Sequence, residues 1–229
     1  MQRVRDCLFA DDVLYDVERG VWVRVSGSSA FVGIDSILAW ISGPFTAVSF
    51  KEEGTVVERG MSLGSVEGPR HFDTVRSPLT CRIVEANLAL KGNPRLLNRE
   101  PYGGGWFVRV EPLNMDGERS GLLSIAAARG SLDRRVVELH VRCFAEFPDL
   151  EMFEIGSECA GILVKLDEVM QSSPIGTVVH LVSDDTTAEI ELIGWSERTG
   201  QTLVESRREG NLFHFIIRKT RLTRASAAR

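Results

Sequence analysis

No apolar run in this chain approaches the roughly 20 residues needed to cross a bilayer. The N-terminus, with Arg3, Arg5 and Asp6 around Cys7 and Leu8, also lacks the apolar stretch of a secretory signal. Both absences point to a cytoplasmic protein without a membrane partner. An excess of basic residues is missing too. The formal net charge over 229 residues is -5, which argues against a general nucleic-acid binder, because displacing counterions from phosphates takes a basic surface. Cysteine is sparse: Cys7, Cys81, Cys143 and Cys159 lie far apart and form no Cys-x-x-Cys pair, so no metal site is expected. In a reducing compartment all four are expected to be thiols. Positive charge gathers only near the end, at Arg218, Lys219, Arg221, Arg224 and Arg229. This reads as a solvated basic tail over 221–229, with docking to an acidic partner as the sharper alternative.

What is present suits a folded core. Apolar residues make up 43% of the chain and charged residues 26%, the balance of an ordinary globular protein. The first half has short β-prone runs, Val21 to Val25, Ala30 to Ile34, Phe45 to Phe50 and Trp106 to Val110, separated by turn-rich segments. A short helix over Asp35 to Ser42 interrupts them, capped by Asp35 or Ser36. Strands at this pace predict a small barrel or sandwich. Gly121 to Arg129 predicts a helix ended by Gly130. Ser131 to Phe147 fits a helical face through Val136, His140, Cys143 and Phe147, and strand alternation through Val137, Leu139, Val141 and Cys143. After Pro148 the order becomes βαβαββ: a strand at Leu150 to Ile155, a helix at Cys159 to Met170, and a strand at Thr177 to Val182. A helix around Thr186 to Trp195, capped by Asp184-Asp185, comes next, then a hairpin turning at Glu209-Gly210. The fold class is α+β.

Residues from about Phe9 to Val110 resemble the glycine cleavage H-protein family. Val21-Trp22-Val23-Arg24-Val25 and Phe31-Val32-Gly33-Ile34 are similar to its early strands. Asn87, Leu90, Asn93-Pro94, Leu97-Asn98, Pro101-Tyr102-Gly103 and Gly105-Trp106 are similar to a long ordered run of that family. The resemblance implies a barrel-sandwich hybrid, mostly β, that presents a hairpin bearing a lipoylated lysine seven residues before a Ser-Pro pair. Here the pair is Ser77-Pro78, so Arg70, within Glu67-Gly68-Pro69-Arg70, occupies the lipoyl-lysine position. Guanidinium stays protonated and is a poor nucleophile. No lysine lies between Lys51 and Lys91 to substitute for it, so no lipoyl cofactor is expected. Arg70 and His71 are read as exposed polar residues, with anion or carboxylate binding as the alternative. Gly103-Gly104-Gly105 lacks a following Lys-Ser/Thr and is read as a turn rather than a phosphate loop.

From about Leu150 to Lys219 the chain resembles the TusA family of sulfur carriers. Gly156-Ser157-Glu158-Cys159 opens the first helix as that family's Gly-x-x-Cys does, although Ala160 and Ile162 replace its two prolines. Val182-Ser183-Asp184-Asp185 and Phe215-Ile216-Ile217-Arg218-Lys219 match later parts of its pattern. The resemblance implies a βαβαββ two-layer sandwich in which Cys159 carries sulfur as a persulfide, its thiolate favoured by the helix dipole and disfavoured by Glu158. Cys143 and Cys81 are read as core, and His180 and His214 as structural histidines within strands.

The expected organisation is an H-protein-like domain over 1–113, a linker or helical region over 114–148, a TusA-like domain over 149–220 and a basic tail over 221–229. Together the two resemblances imply a sulfur-trafficking protein. Cys159 would be its carrier, and its H-like domain would dock a protein partner, a sulfur donor or acceptor such as a heterodisulfide-reductase-like complex. The alternative is a non-catalytic adaptor or regulator built from two degenerate carrier domains.

Overall fold

The computed structural model describes residues 1–69 and 71–222, with the backbone alone at His71. Arg70, Arg224 and Arg229 lie outside the described residues. The chain divides into two compact units, Met1–Cys143 and a second beginning at Phe144.

The first unit starts with a hairpin of β1 (Gln2–Val4) and β2 (Cys7–Phe9). Next come β3 (Leu14–Asp16), β4 (Val21–Ser26), β5 (Ser29–Ile34), α1 (Ser36–Ile41), β6 (Ala47–Phe50), β7 (Val56–Val57), β8 (Ser62–Gly68), β9 (His71–Arg76) and β10 (Cys81–Ala86). The short helices α2 (Ala89–Gly92) and α3 (Leu96–Arg99) precede β11 (Val108–Pro112), α4 (Met115–Glu118), β12 (Leu123–Ser124) and α5 (Ile125–Glu138). One antiparallel sheet of seven strands runs β12-β3-β4-β5-β11-β10-β7, and a second of three runs β6-β8-β9. Val23, Val32, Ile83 and Val110 of the larger sheet share one apolar core with Leu63, Val66 and Val75 of the smaller. The unit is therefore a β-rich sandwich in a mixed α+β chain.

Because side chains alternate along a strand, Trp22 leaves that core and faces a second one. There it joins Phe9, Tyr15, Ile37 and Tyr102 with Ile125, Ala128, Leu132 and Val136 of α5. The spacing of those four α5 residues is helical, and Ser124 caps the helix by accepting from the Ala127 N–H at 3.4 Å. The helix thus begins after, not at, Gly121, which ends a 3-10 turn. Gly130 does not stop it: Leu132 and Val136 beyond it bury in the same cluster, and the helix runs on to Glu138. The reversal comes instead at His140, at φ 51°, with the Val141 N–H bonded to the Val136 carbonyl at 3.0 Å. A left-handed residue past the last turn closes a helix in this way. It returns Val141 and Cys143 to the face of α5, so the predicted inter-domain region of 114–148 is divided at Cys143.

The family-like run supplies struts. The Asn98 side-chain amide donates to the Ala39 and Gly43 carbonyls at 2.8 and 2.9 Å and accepts from the Phe45 N–H at 2.9 Å. Asn87 donates to the Gly104 and Trp106 carbonyls at 2.9 and 2.7 Å. Both side chains are buried, where unmatched amides would be costly.

The second unit is a four-stranded sheet, β13 (Leu150–Glu154), β14 (Val178–Ser183), β16 (Leu212–Arg218) and β15 (Thr202–Glu209) in spatial order. β13 runs parallel to β14 and the other pairs are antiparallel. Two helices, α6 (Cys159–Ser172) and α7 (Ala188–Thr199), bury Ile162, Leu166, Leu192 and Trp195 against Val179, Leu181, Phe215 and Ile217. On the opposite face His180 and His214 meet at 3.0 Å, Nε2 to Nδ1. The Phe144 ring lies 4.6 Å from His180, with the Arg207 guanidinium 4.8 Å over it. Lys219 is 2% exposed. Its ammonium donates to the Ser173 carbonyl at 2.7 Å and to the Met170 carbonyl, satisfying the end of α6. Arg218 pairs with Glu146 at 3.0 Å.

Candidate functional site

Two places in the fold carry the chemistry expected from the sequence. The first is the β8–β9 hairpin. Its strands pair from Ser62↔Arg76 to Gly68↔His71, with a bulge at Leu63. The inner side chains Leu63, Val66 and Val75 anchor it in the core, while Phe72 is 63% exposed. Glu67, opposite Phe72 in register, is exposed as well.

A lipoyl amide requires a primary amine here, and the chain supplies none from Ser62 to Arg76. Lys51 follows β6, whose Phe50 pairs with Gly64. Its N–H donates to the Leu63 carbonyl at 3.0 Å, which puts it toward the end of the sheet away from Gly68 and His71. Lys91 belongs to α2. The residues present therefore do not fit a lipoyl group.

The second place is the start of α6. Cys159 is the first residue of the helix, as the sequence suggests, but it is 5% exposed and packs in the core of the second unit with Ile162, Leu166 and Ala188. Its backbone N–H, one of the unpaired donors of the first turn, goes to Asp185 Oδ2 at 2.8 Å. Asp185 also accepts from the Thr187 N–H and hydroxyl, both at 2.8 Å, and these bonds hold its carboxyl below the usual range. Asp184 Oδ1 accepts from the Gly156 N–H at 2.8 Å. The anion favoured at this helix start is thus the Asp185 carboxylate. Burial, then Asp185, then Glu191, push the Cys159 thiol up to about 11. Sequence reasoning assigned the opposing charge to Glu158 and read Asp184-Asp185 as the cap of α7. The fold turns the two aspartates onto the loop before α6.

The remaining cysteines divide. Cys81 is a buried thiol, 3.4 Å from the Ser77 hydroxyl and pushed up by burial. Cys7 and Cys143 form a disulfide, their Cα atoms 5.0 Å apart and 136 residues apart in sequence. This corrects the expectation of four thiols. The β1–β2 hairpin and the reversal at His140 bring both residues into one apolar cluster, a convergence that spacing along the chain does not reveal. Among the described residues no group of three or more His, Cys, Asp or Glu is arranged to hold a metal ion, and no helix is long and apolar enough to cross a membrane.

The model of the family described as "Glycine cleavage H-protein" matches residues 13–134, a span from just before β3 into α5. "Glycine cleavage system H protein 5" of Aquifex aeolicus is 33% identical over 147 residues, covering 62% of this chain and 99% of that protein. "Glycine cleavage system H protein" of Synechocystis sp. is 32% identical over 123 residues, covering 53% and 93%. A crystal structure of a glycine cleavage system H protein from Mycobacterium marinum is 26% identical, with a TM-score of 0.48, covering 54% of this chain and 98% of that one. The matched span takes in the sandwich, the hairpin and the buried asparagines that brace them. By this match, and despite the missing lysine, the chain belongs to the glycine cleavage H-protein family.

Proposed function

We propose that this protein is a docking adaptor on an H-protein scaffold, which holds a protein partner without carrying a covalent group. The observation that supports this most is the absence of an amine along the β8–β9 hairpin, which keeps its anchored strands. The exposed Phe72 gives the hairpin an aromatic contact of the kind enriched in protein interfaces, with Glu67 across the pair on its polar rim. In this reading the second unit has the βαβαββ order of a TusA-like sulfur carrier, and its cysteine is structural. The raised thiol, low exposure and the Asp185 carboxylate at the helix start all weigh toward that role.

A persulfide carrier acting on a sulfur donor or acceptor, such as a heterodisulfide-reductase-like complex, is the second reading. In its favour is the position of Cys159 as the first residue of α6.

The test is intact mass. The full chain is incubated in one arm with lipoate, ATP and an active lipoate ligase, and in the other with a persulfide donor. The adaptor reading expects both masses unchanged. A lipoyl increment, or one sulfur gained and lost again in Cys159→Ala, overturns it, the second outcome in favour of the carrier.

A further inference from the structure

The first unit contains a cleft of about 450 Å³ that the hairpin and Cys159 leave unused. It lies between the β3–β4 turn, the loop before β8, the 3-10 turn that ends at Gly121, and α5. Its charged wall is unequal in depth. Asp16 is 3% exposed, and it binds Arg19 at 2.7 Å, with Arg59 at 3.8 Å. Arg19, Arg59 and Arg135 are half-buried, and Arg134 stands at the exposed rim. The other two carboxylates of the cleft, Glu18 and Glu138, are exposed. Three half-buried guanidinium groups therefore face two buried carboxylates, Asp16 beside Arg19 and Arg59 and Asp35 within reach of the charge of Arg135.

The hydrogen-bond inventory points the same way. Nε of Arg59 and Nε of Arg135 are each buried and, among the described residues, have no acceptor. A buried charged donor without an acceptor is costly, and two in one cleft are a demand for oxygen atoms. The backbone makes room for one of these heads: a Cβ on Gly121 would run into the Arg59 guanidinium.

We propose that this cleft binds a small phosphate-bearing compound. A planar guanidinium matches the oxygens of a phosphate in a two-point fork. A phosphate presents three oxygens around one centre, which suits guanidinium groups arriving from three elements better than the two coplanar oxygens of a carboxylate. The volume exceeds a single phosphate and falls within the range of small-ligand sites, so the compound has a body beyond its phosphate, or a second phosphate.

Calorimetric titration of the full chain tests this, with pyrophosphate, orthophosphate and acetate each added at one fixed low ionic strength. Saturable one-site binding of pyrophosphate, weaker binding of orthophosphate and none of acetate is the expected result. Arg135→Gln should weaken pyrophosphate at least about tenfold, the loss of one charge-assisted pair. Arg135→Lys, which keeps the charge and loses the fork, should fall between it and the parent. Arg134→Gln, at the rim, preserves the test if Arg135→Gln fails to fold, and should weaken binding about threefold, in the range of an exposed ion pair. Absence of saturable binding by the folded parent, equal binding of acetate, or variants that bind as the parent does would each overturn the proposal.

Discussion

Replacing Asp35 by asparagine should change how the stability of the first unit depends on pH. Asp35 is 0% exposed and caps α1, accepting from the Leu38 N–H at 2.9 Å through Oδ1. Its other oxygen, Oδ2, has no hydrogen-bond partner among the described residues. Burial outweighs the Leu38 hydrogen bond and the charge of Arg135, and raises its pKa from 3.8 to about 6. Below pH 3.8 the carboxyl is protonated folded and unfolded alike, and burial costs nothing in charge. As pH rises the unfolded chain ionises first, so stability falls across the window from 3.8 to about 6 and is level above it. The distance from 3.8 to about 6, at 1.36 kcal/mol per pH unit, gives a drop of about 3 kcal/mol. Asparagine can still cap the helix but does not ionise. A constant offset from its buried amide leaves the pH-dependent part intact. The assay is urea unfolding of parent and Asp35→Asn between pH 3.5 and 7.5, followed by the emission of Trp22, Trp40 and Trp106 in this unit. The gap in favour of the variant should widen by about 3 kcal/mol across that window. A gap that stays flat, or narrows as pH rises, refutes the argument that Asp35 is held ionised at a cost.

Cys159 should alkylate about a hundredfold or more slowly than a free cysteine at neutral pH, because a thiol pushed up to about 11 has little thiolate. An inflection in its iodoacetamide rate below pH 9 would count against that. Cutting the Cys7–Cys143 bond by Cys143→Ala should lower the stability of the first unit by up to about 5 kcal/mol, the chain-entropy value for a closed loop of 136 residues. Urea midpoints of parent and variant that coincide would show the bond to be stabilising nothing.

Much of the fold was legible in the sequence because local chemistry and tertiary packing agreed. Val21 to Val25 and Ala30 to Ile34 are strands split by a turn, and the hairpin turns around Glu209-Gly210, as read. Asp35 caps α1 as its side chain predicts. The errors fell where a distant contact overruled a local signal. Gly130 reads as a stop, yet Leu132 and Val136 bury against the sheet and carry the helix past it. Lys219 lies in a basic cluster of the sequence, and only the fold shows the open end of α6 beside it taking its amine. At the candidate site, the lack of a lysine between Lys51 and Lys91 could be read directly, while the family resemblance says which stretch needs one. The fate of Cys159 could not, because Asp185 is 26 residues away along the chain and adjacent only after folding. Cys7 and Cys143 were hidden for the same reason.

The disulfide makes the first unit a covalent ring from which the rest of the chain hangs. Residues 7 to 143 form the ring, and the second unit follows it from Phe144. Tension applied between a point before Cys7 and the second unit would pass from Cys7 to Cys143 through sulfur and bypass the sandwich, so the second unit would give way while the β8–β9 hairpin stayed folded. A protease that nicks one loop within the ring would leave both fragments joined, and the cut would show on a denaturing gel only after reduction.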